Sequence, residues 1–211
     1  MPIPIVLLLL VGAAFSIALG WWSVQSLLQA RLLSRWRHPS LDGLSGRRVA
    51  LRGEVRVREP LRLSPIGDCL WHREIVKVRR GKSTWTESDI AENAGFSIVV
   101  DGREFRVPDL PTEVHGGKSL SGGEDWGLSH LAFGDRRSWT HRWLPVVDHL
   151  TVVGQARRTG AQWEVVKDPV AGLLFTVHPP AKAALQEAVK GGFGLAGALA
   201  GLAVVIWFAT R

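Results

Sequence analysis

Cys69 and His72 are the first residues in the chain whose spacing suggests chemistry, a C-x-x-H pair. One thiolate and one imidazole leave a tetrahedral zinc two ligands short. The chain has no second Cys, so it forms no internal disulfide and no Cys-built cluster. Within an apolar run, Cys69 reads as a small buried hydrophobe. His115, His130, His141 and His149 are scattered through the second half and offer imidazoles that bind metal or titrate near neutrality. None sits in H-E-x-x-H, and no paired-carboxylate, G-x-S-x-G or phosphate-loop pattern occurs. Gly116-Gly117 and Gly122-Gly123 do not follow a strand and open a helix, so they lack the context of a phosphate loop. Trp126, Trp139 and Trp143 offer flat faces for a ligand, though such rings serve equally as core or partner surface. The expectation is no catalytic, cofactor-binding or metal-ligating residue, no cofactor and no enzyme activity. A membrane hydrolase or redox enzyme using Cys69 or the His-rich segment stands as the alternative.

The elements that carry these residues follow from charge and hydropathy. No charged side chain precedes Arg31, and Pro2 to Trp22 is almost wholly apolar. Gly191 to Thr210 is also uncharged. About 20 apolar residues suffice for a helix to cross a bilayer, so each segment is long enough. The first lacks a basic n-region and carries bulky Trp21 and Trp22 where a signal-peptidase site wants small residues, so it reads as a retained anchor. Trp21, Trp22 and Trp207 suit the headgroup level. Gly12, Ser16 and Gly20, with Gly197 and Gly201, recur at four-residue spacing. That spacing permits close helix approach in lipid, as an antiparallel hairpin or an oligomer contact, and is also simply common in spans.

The net charge of +7 divides unevenly. Outside residues 39–180 lie Arg31, Arg35, Arg37, Lys182, Lys190 and Arg211 against Glu187 alone, so five of the seven net charges flank the spans. The surplus is a membrane signature and nucleic acid is not expected as a partner. Arg31, Arg35 and Arg37 are expected to contact the membrane surface. The charge bias puts the middle domain in the cytoplasm.

The domain reading is a transmembrane helix over 1–24, a basic juxtamembrane helix over 25–38 ended by His38-Pro39, a β-rich domain over 39–180, and a second transmembrane helix with its lead-in over 181–211. Arg48–Val57 alternates and is interrupted by Gly53, as at a barrel bend. Cys69–Val78 is a further strand. Phe96–Val107 is a hairpin around Asp101-Gly102, and Leu150–Ala156 with Trp163–Val166 is another around Thr159-Gly160. Residues 116–142 show no period and read as an irregular insertion. The fold class is mainly β, a small barrel or sandwich, plus two transmembrane α-helices.

The order of these features resembles the GIDE family, also called BAM (beside a membrane) domain proteins, related to the membrane domain of mitochondrial membrane-anchored ubiquitin ligases. The resemblance covers roughly residues 47–208. It rests on VALRGEVRVREPLRLSPIGDCLWHREIV, with Gly53, Ser64, Pro65, Cys69 and Trp71 at the family positions, on FSIVVDGREFRVP with Asp101 and Gly102, and on DHLTVVGQARRTGAQWEVV before the second span. The zinc-binding RING of those ligases has no counterpart in this sequence, so the resemblance implies no ubiquitin-ligase activity and suggests a prokaryotic member. It also implies an extracytoplasmic domain, opposite to the charge-based orientation. The expected function is a two-span integral membrane protein that presents a sensing, binding or scaffold domain beside the bilayer. Its expected partners are lipid and a protein or small ligand, with possible homo-oligomers through the glycine-rich spans. A subunit of a membrane assembly or defence system is a further alternative.

Overall fold

The computed structural model describes residues 3–35, 44–64, 66–80, 82–126 and 135–209. The chain opens with α1 (Ile3–Ser34), continues through twelve strands and closes with α2 (Pro180–Ala209). The strands are β1 (Arg48–Arg56), β2 (Leu61–Leu63), β3 (Gly67–Arg80), β4 (Ser83–Asn93), β5 (Ser97–Val100), β6 (Arg103–Arg106), β7 (Glu113–His115), β8 (Lys118–Trp126), β9 (Asp135–Pro145), β10 (His149–Thr159), β11 (Gln162–Val166) and β12 (Leu174–Thr176).

Five strands close a small barrel in the order β1-β5-β6-β11-β10 and back to β1. All neighbours are antiparallel except β6 and β11, which run parallel. Counting only barrel strands, this is order 1-2-3-5-4 with a parallel third and fifth, the Greek-key connectivity of an OB-type barrel. The sequence left barrel and sandwich open; the closed ladder decides for the barrel. Alternation along each strand fills the interior with Val49, Leu51, Ile98, Phe105, Leu150, Val152 and Val165, all buried. The Asp101-Gly102 turn joins β5 to β6 with φ of 50° and 76°, the positive pair that a two-residue hairpin turn requires. The second hairpin turns at Gly160-Ala161, one residue beyond the expected place, because Thr159 pairs with Gln162. Gly53 sits at a tight approach of β1 to β5: a Cβ there would lie 2.4 Å from the Val99 carbonyl oxygen.

Two insertions leave the barrel and meet. One, between β1 and β5, supplies β2, β3 and β4; the other, between β6 and β10, supplies β7, β8 and β9. β3 pairs with β2 and β4 on one side and with β9 on the other, and β8 pairs with β9. The expected irregular insertion over 116–142 is therefore overturned. Its described parts are strands of a second antiparallel sheet, with residues 127–134, including His130, outside the described residues. Glycine hid the period. At Gly122 the missing side chain leaves room for the Trp139 ring, which a Cβ would meet at 2.1 Å. The strand β4 was not anticipated either, since STWTESDIAEN is exposed along most of its length and shows no apolar face.

The two helices pack antiparallel. Gly12 faces Val205, Ser16 faces Gly201, and Ser23 and Leu27 face Gly194 and Gly191. A Cβ on Gly201 would lie 2.5 Å from Ser16 Oγ, so the backbones approach closely at that level. Ser16 and Ser23 donate to the carbonyls of Gly12 and Leu19 at 2.9 and 2.7 Å, which hides their hydroxyls within the helix. The faces turned outward are apolar: Phe15, Ile17, Trp21 and Trp22 on α1, Phe193, Leu199, Val204 and Ile206 on α2. Each helix is long and apolar enough to cross a membrane.

The basic juxtamembrane segment over 25–38, expected to prolong the first helix, is described as far as Arg35. Residues 25–34 continue α1 without a break, because after Gly20 the run holds no glycine or proline. They also turn inward. Gln29, Ala30 and Leu33 are buried, and Leu33 packs with Ala183, Ala184, Ala50, Val153 and Leu174, joining both helices to the outer wall of β1, β10 and β12. Arg31 and Arg35 are exposed; Trp36, Arg37 and His38-Pro39 lie outside the described residues.

Candidate functional site

Where β7 meets α2, four ionisable side chains converge. Alternation on β7 puts Glu113 and His115 on one face, and i,i+3 spacing on α2 puts Glu187 and Lys190 on one side. Lys190 Nζ donates to Glu113 Oε1, lies 3.2 Å from Glu187 Oε1 and 2.8 Å from His115 Nε2. His115 Nε2 lies 3.0 Å from Glu113 Oε1 and 2.9 Å from Glu187 Oε1. Glu187 is wholly buried and the His115 side chain is 9% exposed. Among the described residues, Glu187 Oε2 and His115 Nδ1 have no hydrogen-bond partner.

This cluster is electrostatically tense. Burial alone would raise the Glu113 pKa, but hydrogen bonds from His115 and Lys190 outweigh it and bring it down to about 2. Burial would lower His115, but its bonds to Glu113 and Glu187 raise it to about 9, against the opposing charge of Lys190. Just outside the cluster, His178 is pushed down by burial, by Lys182 and by His115. A raised imidazole stabilises the fold fully below its ordinary pKa of 6.5 and loses that contribution as pH rises through about 9. Glu113 contributes above 4.5 and loses its share as pH falls towards about 2. We therefore expect the thermal midpoint of the detergent-solubilised chain to fall as pH rises from neutrality to beyond 9. His115→Gln should flatten that slope; an unchanged slope would show that His115 does not carry it.

Glu113, His115 and Glu187 offer one oxygen, one nitrogen and one oxygen close enough to hold a metal ion. The Lys190 ammonium already stands among these atoms and bridges the same donors. As built, the cluster is an ionic fastener between the β domain and α2. Gln29 completes the junction from α1 by donating to the Ala171 carbonyl at 2.7 Å.

The residues singled out from the sequence fall elsewhere. Cys69 is buried on β3 with its thiol 3.6 Å from the Leu61 carbonyl. Its pKa is raised by burial, then by Asp68 and Glu92, opposite to the shift of an activated nucleophile. Two residues that looked unrelated do come together: His72 Nε2 lies 3.0 Å from His141 Nδ1 across β3 and β9. Burial and His141 hold His72 below its ordinary pKa, against Glu74 and Glu92. Trp139 and His141 border a cavity of about 260 Å³ together with Glu74 and Arg137. Trp143 pairs across from Lys118, and His149 is exposed at the start of β10.

Of the resemblance positions, Trp71 and Cys69 are buried, Trp71 in the apolar cluster that joins the second sheet to the barrel. Gly53 marks the β1–β5 approach, Asp101 and Gly102 make a turn, Ser64 lies in the β2–β3 turn, and Pro65 lies outside the described residues. They are scaffold positions and do not converge. Sequence reading missed Glu113, Glu187 and Lys190 as site residues. The signal was present in Glu187 and Lys190, opposite charges one helical turn apart on α2, the last charged residues before its uncharged run from Gly191.

Comparison with known proteins finds no family model, no curated protein and no solved structure that matches the chain.

Proposed function

We propose that the chain is a two-span integral membrane protein that holds an OB-type barrel rigidly beside the bilayer as a binding or sensing module, in the manner the GIDE/BAM resemblance implies. The observation that carries this reading is the junction itself. α1 and α2 pack antiparallel with apolar outer faces, and their domain-side ends are locked to the barrel by Lys190, Gln29 and the Leu33–Ala183 patch. A helix rises 1.5 Å per residue, so α2 at 30 residues is about 45 Å long, more than the roughly 30 Å of hydrocarbon. The excess at the start of α2 is the part that packs on the barrel. The exposed Arg31 and Arg35 then lie near the headgroups and favour a cytoplasmic domain, each cation adding about 1 kcal/mol of attraction to anionic lipid.

The test is fractionation of cells expressing the chain. The protein should stay in the membrane pellet after alkaline carbonate and leave it only in detergent. Release by carbonate would end this reading. A Cys placed at exposed Arg62, in a Cys69→Ala background, should react with an impermeant maleimide only after the cells are opened; labelling of intact cells would reverse the orientation.

A further inference from the structure

The barrel carries an open cavity of about 810 Å³, lined from β1, β5, β6 and β11. Arg56 and Arg58 reach it from the end of β1, Arg103 and Arg106 from β6, and Trp163 from β11. Glu104 is the one carboxylate among its lining residues, and it accepts a hydrogen bond from Ser97 Oγ at 2.5 Å. The four arginines are exposed, and none forms an ion pair among the described residues. Other arginines of the domain divide: Arg48 pairs with Asp168, Arg73 with Asp89, Arg137 with Glu87 and Arg157 with Glu164, while Arg47, Arg52 and Arg142 form no ion pair among the described residues, so it is the clustering of the four on one cavity that sets them apart. Arg106 is the cross-strand partner of Glu164 and, after Arg157 and Thr159, helps to lower its pKa. The lining nevertheless holds four cations against the single carboxylate of Glu104, an excess that raises the local concentration of anions.

The place in the fold matters as much as the charge. In OB-type barrels, ligands bind on the second and third strands, flanked by the loops after the first and fourth. Here those are β5, β6, the segment holding Arg58 and the Gly160-Ala161 turn, and all four border the cavity. Guanidinium forks match phosphate oxygens two at a time. Trp163 is half-buried beneath Arg158, whose guanidinium carbon is 5.8 Å from the ring centroid, so an aromatic and a cationic surface lie beside the phosphate-binding groups. The cavity is within the ~300–1,000 Å³ range of small-molecule sites. The patch that packs on the helices uses Ala50 of β1, Val153 of β10 and Leu174 of β12, whereas the cavity is reached from the other end of β1 and from β5, β6 and β11.

We propose that this face binds a soluble nucleoside polyphosphate, with Arg56, Arg58, Arg103 and Arg106 on the phosphates and Trp163 beside the base. The site is independent of the helix junction, and its test does not depend on membrane orientation.

Binding is measured calorimetrically on the full chain in detergent, with ATP, adenosine, pyrophosphate and oligothymidylate as separate titrants. ATP should bind saturably, more tightly than pyrophosphate, and adenosine should show no heat. Arg103→Ala/Arg106→Ala should weaken ATP by about 10-fold or more, as loss of charge-assisted bonds predicts. Arg103→Lys/Arg106→Lys should fall between it and the unaltered chain, and Arg62→Ala, an exposed arginine on the other sheet, should not change affinity. The assignment is overturned if ATP fails to bind at ~1 mM, if pyrophosphate binds as well as ATP, or if Arg62→Ala weakens binding as much as the double variant. Tighter binding of oligothymidylate at equal salt would reassign the face to single-stranded nucleic acid. Displacement of ATP by phosphatidylglycerol vesicles, with none by phosphatidylcholine vesicles, would reassign it to a lipid headgroup.

Discussion

Replacing Lys190 by Met will destabilise the protein more than any change at its exposed charges. The substitution keeps the unbranched apolar stem of the side chain and removes the cation that Glu113 and Glu187 share. Glu187, wholly buried and already lacking a partner for Oε2, is then left with only His115. Removing one partner of a buried pair costs about 3–5 kcal/mol. Lys190 and Glu113 are each about a third exposed, and water recovers part of that loss, so the lower end, about 3 kcal/mol, is expected. For a chain of this size this corresponds to roughly 6–12 °C in thermal midpoint. The double variant Lys190→Met/Glu187→Met should recover part of the loss, because it removes the stranded charge as well as its partner. Thermal unfolding followed by tryptophan fluorescence reads both. A midpoint for Lys190→Met within ~2 °C of the unaltered chain would show that the cluster does not fasten the domain to α2.

Phe175→Ala should cost about as much or more, for an apolar reason. Phe175 on β12 is fully buried and meets Phe96 edge-on, with ring centroids 5.3 Å apart. Truncating a buried Phe costs about 3–5 kcal/mol through lost transfer energy and the cavity left behind. The edge-to-face pair adds about 0.5–1.5 kcal/mol. Both of its neighbours along β12 face the other way: Leu174 packs towards the helices and Thr176 is buried. The cavity is therefore confined to the barrel interior and cannot be filled by shifting the helices. Phe175→Leu should lose less than half as much. By contrast, Trp85→Ala on the exposed β4 should stay within ~0.5 kcal/mol. If Phe175→Ala and Trp85→Ala have equal midpoints, the closed barrel with Phe175 at its core is wrong.

How much was legible depended on how local the signal is. The β5–β6 hairpin was readable because Asp101-Gly102 is a turn encoded in two residues flanked by alternating runs. The helix pair was readable because apolar length and small-residue spacing are properties of a single segment, and the structure uses that spacing as a contact between the two helices. The strands β8 and β9 were unreadable because their packing partners are across the sheet: Gly122 looks like loop composition until Trp139 is known to lie on it. The junction was harder still. Glu113 and His115 lie more than 70 residues from Glu187 and Lys190, and only the parallel pairing of β7 with β12 brings that strand beside the start of α2.

By itself the sequence determined two segments long and apolar enough to cross a membrane, a nearly charge-balanced β domain between them, and the placement of most of the positive surplus at the edges of those segments. These follow from hydropathy and turn chemistry, which act over a few residues. Only the tertiary structure decided that the barrel closes, that four scattered arginines share one concave face, and that Lys190 is a fastener and not merely a flanking charge. Those outcomes depend on which strands pair, and strand pairing is set by burial and register across the whole domain.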